Sequence, residues 1–440
     1  MKETERRLEE VKSDKRPTTE ESRKVANVAK EFVANLETAL KAAKLKAAPV
    51  VGGSGAKGTW LKGMHDIDIF VCFDYARYKE KSRELSEFLA VAVKKTFPRH
   101  ERLHGSRDYF KVSYNGYNFE VIPILKIARA NQARNITDAS LLHAVWVTKE
   151  ARKKPGLADE IRLAKAFCKA QRVYGAESYV RGFSGYACEV LTIYYGGFLK
   201  LATAAASKWK KQIAAGKKIV VDAAGHYKGR DPTRELNEAK VQSELIVIDP
   251  IQKDRNATAA LSSEVLWKFI TATECLLKNP AKSQFERQDV TAETLAKKAR
   301  GKSLIIIEAK PLPGKEDVVG AKLMKVFGHF LKALEENGFK TSKSGWEWNG
   351  KKAGDAMLWY ALDKKVPEAE IREGPPLDKT IHADSFRKEH SEKKGSPVFE
   401  RNGRLYARIE RAYSKPQQLV KTMIAEDEYL KDKAKSYWLK

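Results

Sequence analysis

Residues 50–73 read VVGGSGAKGTWLKGMHDIDIFVCF, and this stretch decides the fold of the first part of the chain. Two apolar runs flank a glycine-rich loop and an Asp-x-Asp pair, formed by Asp66 and Asp68. Since side chains at positions i and i+2 of a strand point to the same face, the two carboxylates project side by side, about 6.5 Å apart. Carboxylates at this spacing suit Mg²⁺, which takes one or two of them together with substrate phosphates.

The glycine-rich loop indicates phosphate binding, because backbone N–H groups can approach phosphate oxygens closely there. It is not a Walker P-loop, which ends in Gly-Lys-Ser/Thr, whereas Lys57 precedes Gly58 here. A third carboxylate would complete a two-metal site. Glu120 is the first candidate, in a strand that could pair beside the Asp-x-Asp strand, and Asp108 is the second. The competing interpretation, a solvated strand face, is weakened by the Gly53-Ser54 step upstream.

Composition narrows the class of protein. The chain has 440 residues, enough for two to four domains, and 83 basic against 57 acidic residues give a net charge of +26. This charge favours nucleic acid or an anionic membrane as partner, with casual affinity for polyanions as the alternative. Four scattered cysteines lack the spacing of a zinc site and are expected to be reduced. No apolar run is long enough for a transmembrane helix, so we expect a soluble, cytoplasmic protein.

Periodicity predicts three domains of different class. Residues 1–145 are predicted to form an α/β domain with a mixed sheet, residues 146–285 an all-α domain, and residues 286–440 an α+β, ferredoxin-like region. The all-α prediction rests on helical spacing over 159–173, 183–200 and 262–278.

Local signals set several element boundaries. The mostly charged residues 1–16 are expected to be frayed, and Thr18 is predicted to cap the next helix with Glu21 three residues later. Asn115-Gly116 and Asn402-Gly403 are predicted to turn two hairpins.

The sequence contains Gly53-Ser54, followed after eleven residues by Asp66-x-Asp68. This pattern is similar to the motif of the DNA polymerase beta nucleotidyltransferase superfamily. Two further stretches resemble archaeal (class I) CCA-adding enzymes more specifically. They are KAFCKAQRVYGAESYVRGFSGYACEVL at 165–191 and IVIDPIQKDRNATAALS at 246–262. The resemblance is strong over residues 18–290 and weaker over the last third. It implies a polymerase-beta-like nucleotidyltransferase head followed by a helical central domain.

The resemblance implies an activity: addition of C, C and A to the 3′ end of tRNA from CTP and ATP, without a template, releasing pyrophosphate. It implies two Mg²⁺ ions bound by Asp66, Asp68 and Glu120, a homodimer, and contact with the acceptor stem and upper half of tRNA. Residues 373–390 resemble the tail loop that grips the upper half, so basic residues of 379–394 are expected to contact phosphates. The implied nucleotide-binding residues are Ser54, Lys57, His143, Lys165, Tyr174 and Arg255.

Four positions depart from the family pattern. Lys57 stands where arginine is usual, Glu120 where aspartate is usual, Asp66 where glutamate is common, and Ser140 where the family motif has threonine. Three alternatives stay open at this point. They are another transferase of the superfamily (a poly(A) polymerase or oligoadenylate synthetase), a partial CC- or A-adding enzyme, and a non-catalytic RNA-binding protein with the same fold.

Overall fold

The computed structural model describes residues 2–64, 66–350, 354–363, 369–391 and 397–440. The chain divides into two compact units, Met1–Gln288 and Asp289–Lys440. The boundaries of the three predicted domains stay a prediction. Within the described ranges, no helix is long and apolar enough to cross a membrane. Of the expected tRNA-contacting segment 379–394, residues 392–394 lie outside the described residues.

The first unit contains a five-stranded sheet, a smaller three-stranded sheet and helices that pack on them. Its strands are β1 (Ala47–Val51), β2 (Asp66–Phe73), β3 (His100–Leu103), β4 (Tyr109–Tyr114), β5 (Tyr117–Leu125), β6 (Ile219–Asp222), β7 (Leu245–Asp249) and β8 (Gln252–Asn256). Its helices are α1 (Lys2–Lys15), α2 (Thr19–Ala42), α3 (Gly53–Lys57), α4 (Tyr75–Tyr78), α5 (Leu85–Thr96), α6 (Ser140–Arg152), α7 (Leu157–Ala170), α8 (Gly185–Tyr195), α9 (Phe198–Ala204), α10 (Lys210–Ala214) and α11 (Ser263–Lys278).

The five-stranded sheet has the order β1-β2-β5-β4-β3, with β2 parallel to β5 and the other neighbours antiparallel. The predicted hairpin at Asn115-Gly116 is confirmed, with φ angles of 47° and 80° that favour a tight turn. The predicted helix cap is also confirmed, because the Thr18 hydroxyl accepts a hydrogen bond from the Glu21 backbone N–H. A mixed sheet therefore frames the Asp-x-Asp strand, as the sequence predicts.

The two faces of β2 and β5 have different environments. The odd-numbered side chains pack against α2 and α5 in one core; they are Ile67, Ile69, Val71, Phe73, Phe119, Val121 and Leu125. The even-numbered side chains lie on the opposite face, where Phe70, Cys72 and Ile124 form a separate small cluster. Since strand side chains alternate, the remaining even-numbered positions of β2 and β5 share that second face.

The expectation that residues 1–16 are frayed is wrong. Residues Lys2–Lys15 form α1, whose Leu8 and Val11 are buried in a core shared with α7. Lys12 also pairs with Glu160, and Arg16 with Asp159. The apolar positions looked isolated in the sequence because their packing partners lie about 150 residues further along the chain.

The all-α prediction for the central region is also wrong in part. The region contains a three-stranded sheet of order β6-β7-β8, and the predicted helix over 183–200 is broken by Gly196 and Gly197, with φ angles of 70° and 140°. The strands have only four or five residues each, and β7 is buried throughout. A short apolar run of this kind cannot be distinguished from a buried helical segment by its periodicity.

The second unit is built on two antiparallel sheets. Its strands are β9 (Ser303–Pro311), β10 (Thr341–Glu347), β11 (Ala356–Leu362), β12 (Ala369–Pro376), β13 (Val398–Arg401), β14 (Arg404–Glu410) and β15 (Ala434–Leu439). Its helices are α12 (Ala292–Lys298), α13 (Glu316–Glu336), α14 (Thr380–Ser391), α15 (Pro416–Glu426) and α16 (Glu428–Lys431). The hairpin predicted at Asn402-Gly403 is confirmed between β13 and β14.

The larger sheet of this unit has the order β10-β11-β9-β15, with every pair antiparallel. The chain visits β9, α13, β10, β11, α15 and β15 in turn, which is the βαββαβ order expected for a ferredoxin-like region. The smaller sheet, β12-β14-β13, and α14 are inserted before α15.

Candidate active site

Strand register places the three predicted metal-binding carboxylates on one face of the large sheet in the first unit. Asp68 lies directly opposite Glu120 in the parallel β2–β5 ladder, and Asp66 lies opposite Asn118. All are even-numbered positions, so they face away from the core that α2 and α5 cover. The pairing between β2 and β5 predicted from the sequence is thus present.

The two aspartates have different surroundings. Asp68 is partly buried, and burial raises its pKa above the usual range. The ammonium groups of Lys57 and Lys165 and the backbone N–H of Ser54 oppose this increase in pKa, whereas Asp66 adds to it. Asp66 is exposed and accepts a hydrogen bond from Asn118 Nδ2 at 3.2 Å.

The glycine-rich stretch holds the backbone close to Asp68. Residues Gly53–Lys57 form the single helical turn α3, and Gly53 has a φ of 52°. A Cβ at Gly53 would lie 1.5 Å from Asp68 Oδ2, so only glycine leaves room for that carboxylate. The loop therefore brings the Ser54 backbone N–H to the aspartate.

The carboxylates suit a hard cation by type and position. Oxygen ligands are those that Mg²⁺ prefers, and a positive charge would offset the burial that raises the Asp68 pKa. Across the described ranges no three His, Cys, Asp or Glu side chains are gathered as a complete metal site, so phosphates of the substrate would have to supply the remaining ligands. The second candidate for the third ligand, Asp108, is engaged by Arg102 Nε at 3.0 Å and His104 Nδ1 at 2.8 Å.

Two of the predicted nucleotide-binding lysines share a carboxylate that sequence reasoning missed. Glu189 on α8 is fully buried, with Oε2 2.7 Å from Lys57 Nζ and Oε1 2.6 Å from Lys165 Nζ. Burial alone would raise the pKa of Glu189, but the two ammonium groups hold it below its usual value. Thr59 Oγ1 completes the group at 2.8 Å from Glu189 Oε1. A lone acidic residue inside the apolar run ACEVL was the available signal.

His143 and Arg255 meet at a second buried carboxylate. Asp249, at the end of β7, accepts hydrogen bonds from His143 Nε2 at 2.9 Å, the Tyr186 hydroxyl at 3.0 Å and Arg255 Nη1. Burial opposes ionisation, yet His143, the Ile251 backbone N–H and Arg255 lower the pKa of Asp249 to about 2. Asp249 and Tyr186 were not predicted, because their partners come from three separate parts of the chain.

Tyr174 lies beside the lysine group. Its hydroxyl is so near Gly185 that a Cβ there would lie 2.7 Å from it, and burial raises the Tyr174 pKa. The ammonium of Lys169, one helical turn after Lys165, lies 4.9 Å from the centre of the Tyr174 ring. The predicted site residues thus lie in three places: on the face of the sheet that carries the even-numbered side chains of β2 and β5, around Glu189 and around Asp249.

Models of three protein families match successive parts of the chain. Residues 33–143 match "Nucleotidyltransferase domain", residues 159–286 match "tRNA nucleotidyltransferase, second domain", and residues 300–433 match "CCA-adding enzyme, C-terminal domain".

Curated relatives match most of the chain. The CCA-adding enzyme of Nanoarchaeum equitans is 33% identical over 365 residues, covering 83% of this chain and 84% of the relative. That of Thermococcus gammatolerans is 31% identical, covering 87% and 82%. That of Methanosarcina barkeri is 30% identical, covering 85% and 79%. A solved cytoplasmic RNA terminal U-transferase has a TM-score of 0.49 at 15% identity, over 66% of this chain and 100% of that one, which is too distant to bear on function.

Proposed function

The chain belongs to the CCA-adding enzymes, which are tRNA nucleotidyltransferases, and from this premise we propose that Asp66, Asp68 and Glu120 form its catalytic centre. The observation that carries the proposal is the register of β2 and β5, which sets Asp68 opposite Glu120 on the face away from α2 and α5. The same centre would serve CTP and ATP, because both nucleotides react at the α-phosphorus of a triphosphate.

The proposed reaction is a single displacement, repeated for each nucleotide. The 3′ hydroxyl of the tRNA gives its proton to water as its oxygen attacks the α-phosphorus, and the bond to the bridging oxygen breaks to release pyrophosphate. Two Mg²⁺ ions, when bound, lower the pKa of the attacking hydroxyl and neutralise charge on the phosphates. Asp66 and Asp68 would hold both ions, and Glu120 would hold the one beside the attacking hydroxyl.

The nucleotide is bound by residues around the two buried carboxylates. Lys57 and Lys165 share the single charge of Glu189, so the group keeps a net charge of about +1 for a triphosphate oxygen. Ser54 adds its hydroxyl as a donor to the phosphates. These contacts orient the α-phosphorus towards the carboxylate face.

Base and sugar recognition is assigned to the remaining predicted residues. Arg255 offers a rigid fork of donors that suits the acceptor edge of a base, and Asp249 fixes that fork together with His143. Tyr174 lies near Lys165 and would contact the sugar. The second unit would bind the acceptor stem and upper half of tRNA, and the active form would be a homodimer.

Product length on tRNA that lacks its CCA end tests the proposal. With Mg²⁺ and both nucleotides, we expect the RNA to grow by three residues and stop. CTP alone should add two residues, and ATP alone should add none. An open-ended tail would favour a poly(A) polymerase type of activity, and arrest after CC despite ATP would indicate a partial enzyme.

A further inference from the structure

One lysine beside the proposed active site, Lys169, has no ion-pair partner among the described residues. Lys169 is partly buried on α7, and its ammonium is 3.6 Å from Met64 Sδ and 4.9 Å from the centre of the Tyr174 ring. Across the part of the chain that the structure describes, no carboxylate lies within ion-pair distance of this ammonium. A thioether is a weak acceptor and an aromatic ring offers only a partial negative charge.

The other cations near Lys169 contact buried carboxylates. Lys57 and Lys165 each pair with the buried Glu189, and Arg255 pairs with the buried Asp249. Lys169 lies four residues after Lys165 and so shares its face of the helix. Among the described residues, each of these three cations contacts a buried carboxylate, whereas the ammonium of Lys169 does not.

Holding a half-buried ammonium without a counter-charge costs free energy. Burial and the neighbouring Lys165 lower the pKa of Lys169, while Asp66 opposes that shift. Met64 ends the segment that leads from the glycine-rich turn towards Asp66, so the ammonium faces the same region as the proposed metal ligands. An anion that arrives with the substrate would supply the missing charge.

We propose that Lys169 binds a phosphate oxygen of a substrate, with Tyr174 and Met64 holding the ammonium in place; this rests on the proposed function. An ammonium is a compact point charge with three donors and no acceptor, which suits phosphate. Two substrates carry this chemistry: the triphosphate of the incoming nucleotide, and the phosphodiester next to the 3′ end of the tRNA. The experiment separates them.

The test measures binding with Lys169→Met, which keeps most of the length of the side chain, and with Lys169→Gln, which keeps polarity. Lys200→Met is the matched control, because Lys200 is an exposed lysine on α9 of the same unit. For each protein, Kd is measured for a non-hydrolysable CTP analogue with Mg²⁺ and no RNA, and separately for tRNA ending CC at several salt concentrations. Thermal unfolding of each variant shows whether it is folded.

We expect one of the two Kd values to rise about tenfold or more in both Lys169 variants, with Tm unchanged or higher because an uncompensated charge is gone. A change confined to the nucleotide identifies the triphosphate. A change confined to tRNA, with the salt slope reduced by about one unit, identifies the phosphodiester. Both Kd values within twofold of wild type, or an equal change in Lys200→Met, would overturn the proposal.

The proposed function is judged separately, by whether the wild-type protein adds three nucleotides. If the wild type adds no CCA but the Lys169 variants lose phosphate binding, the proposed function is refuted and the phosphate site at Lys169 is still supported. The converse result, normal CCA addition with unaltered binding in the variants, would refute only the Lys169 site.

Discussion

At the residue scale, Glu120 lies opposite Asp68 and is the proposed third metal ligand. We expect Glu120→Gln to lower kcat for CTP and ATP addition by on the order of 100-fold or more, because the negative charge beside the attacking hydroxyl is lost. Glu120→Asp should keep most activity, since the charge stays and only the reach changes. Single-turnover incorporation of each nucleotide measures both effects.

The control for this pair is Asp108→Asn. Asp108 is held by Arg102 and His104, so its amide variant should retain turnover. If Glu120→Gln were fully active and Asp108→Asn inactive, the third ligand would be Asp108 and the register argument would be wrong.

A second residue-scale prediction concerns the stability that Asp249 contributes. Its folded pKa of about 2 lies below the ordinary 3.8, so its contribution is fully present above the unfolded pKa and is lost as pH falls through the folded pKa. The difference between these two pKa values corresponds to roughly 2.5 kcal/mol. We expect the free energy of unfolding of Asp249→Asn to be lower than wild type by about that amount at pH 7, with the gap shrinking only below about pH 4.

Urea unfolding at a series of pH values measures this gap. Asp254→Asn is the matched control, because that carboxylate lies on the neighbouring strand β8 with an exposed side chain. A gap between Asp249→Asn and wild type that is the same at every pH would show that the hydrogen bonds of Asp249, and not its charge, carry the effect.

At the element scale, the approach of α3 to β2 depends on Gly53. We expect Gly53→Ala to abolish activity, because its Cβ would collide with the Asp68 carboxylate and push the two elements apart. Gly58→Ala is the matched control: that glycine also has a positive φ, 62°, but a Cβ there would meet nothing within 4 Å. Gly58→Ala should lower the free energy of unfolding by roughly 1–2 kcal/mol through backbone strain and should keep turnover.

CTP incorporation and Mg²⁺-dependent change in Tm would be measured for both glycine variants. Equal losses in Gly53→Ala and Gly58→Ala would mean that strain in the turn, and not the contact with Asp68, sets the requirement for glycine.

Elements with strong local signals were predictable from the sequence. The Thr18 cap and the two Asn-Gly hairpins were placed correctly because a few neighbouring residues determine them. The small sheet β6-β7-β8 and the packing of α1 were not, since both depend on contacts between distant parts of the chain. For the site, residue types and spacing indicated candidate ligands, whereas the buried carboxylates Glu189 and Asp249 could be recognised only from the fold.

At the scale of the whole molecule, the net charge of +26 predicts many phosphate contacts with tRNA. We expect α14 and the residue before it to supply several of them. Changing Lys379, Arg387 and Lys388 together to glutamine should raise Kd for tRNA and flatten the slope of log Kd against log salt, by about one unit per true contact. Kd for CTP should stay the same.

A triple variant of Lys415, Lys421 and Lys435 removes the same charge from exposed positions of the same unit and is the control. Arg387 already pairs with Glu400 at 2.8 Å, so its share of the effect should be the smallest. An unchanged slope in the α14 variant would place the tRNA contacts elsewhere, with the basic stretch 208–218 as the next candidate.

The central claim, that one carboxylate face performs every addition, is tested most directly by single-turnover rates of Asp66→Asn and Asp68→Asn. The substrates are tRNA without CCA, for CTP, and tRNA ending CC, for ATP. We predict that each variant loses both additions in parallel while binding tRNA with wild-type Kd. Near-normal rates in either variant, or loss of one nucleotide's addition with retention of the other's, would contradict the shared centre.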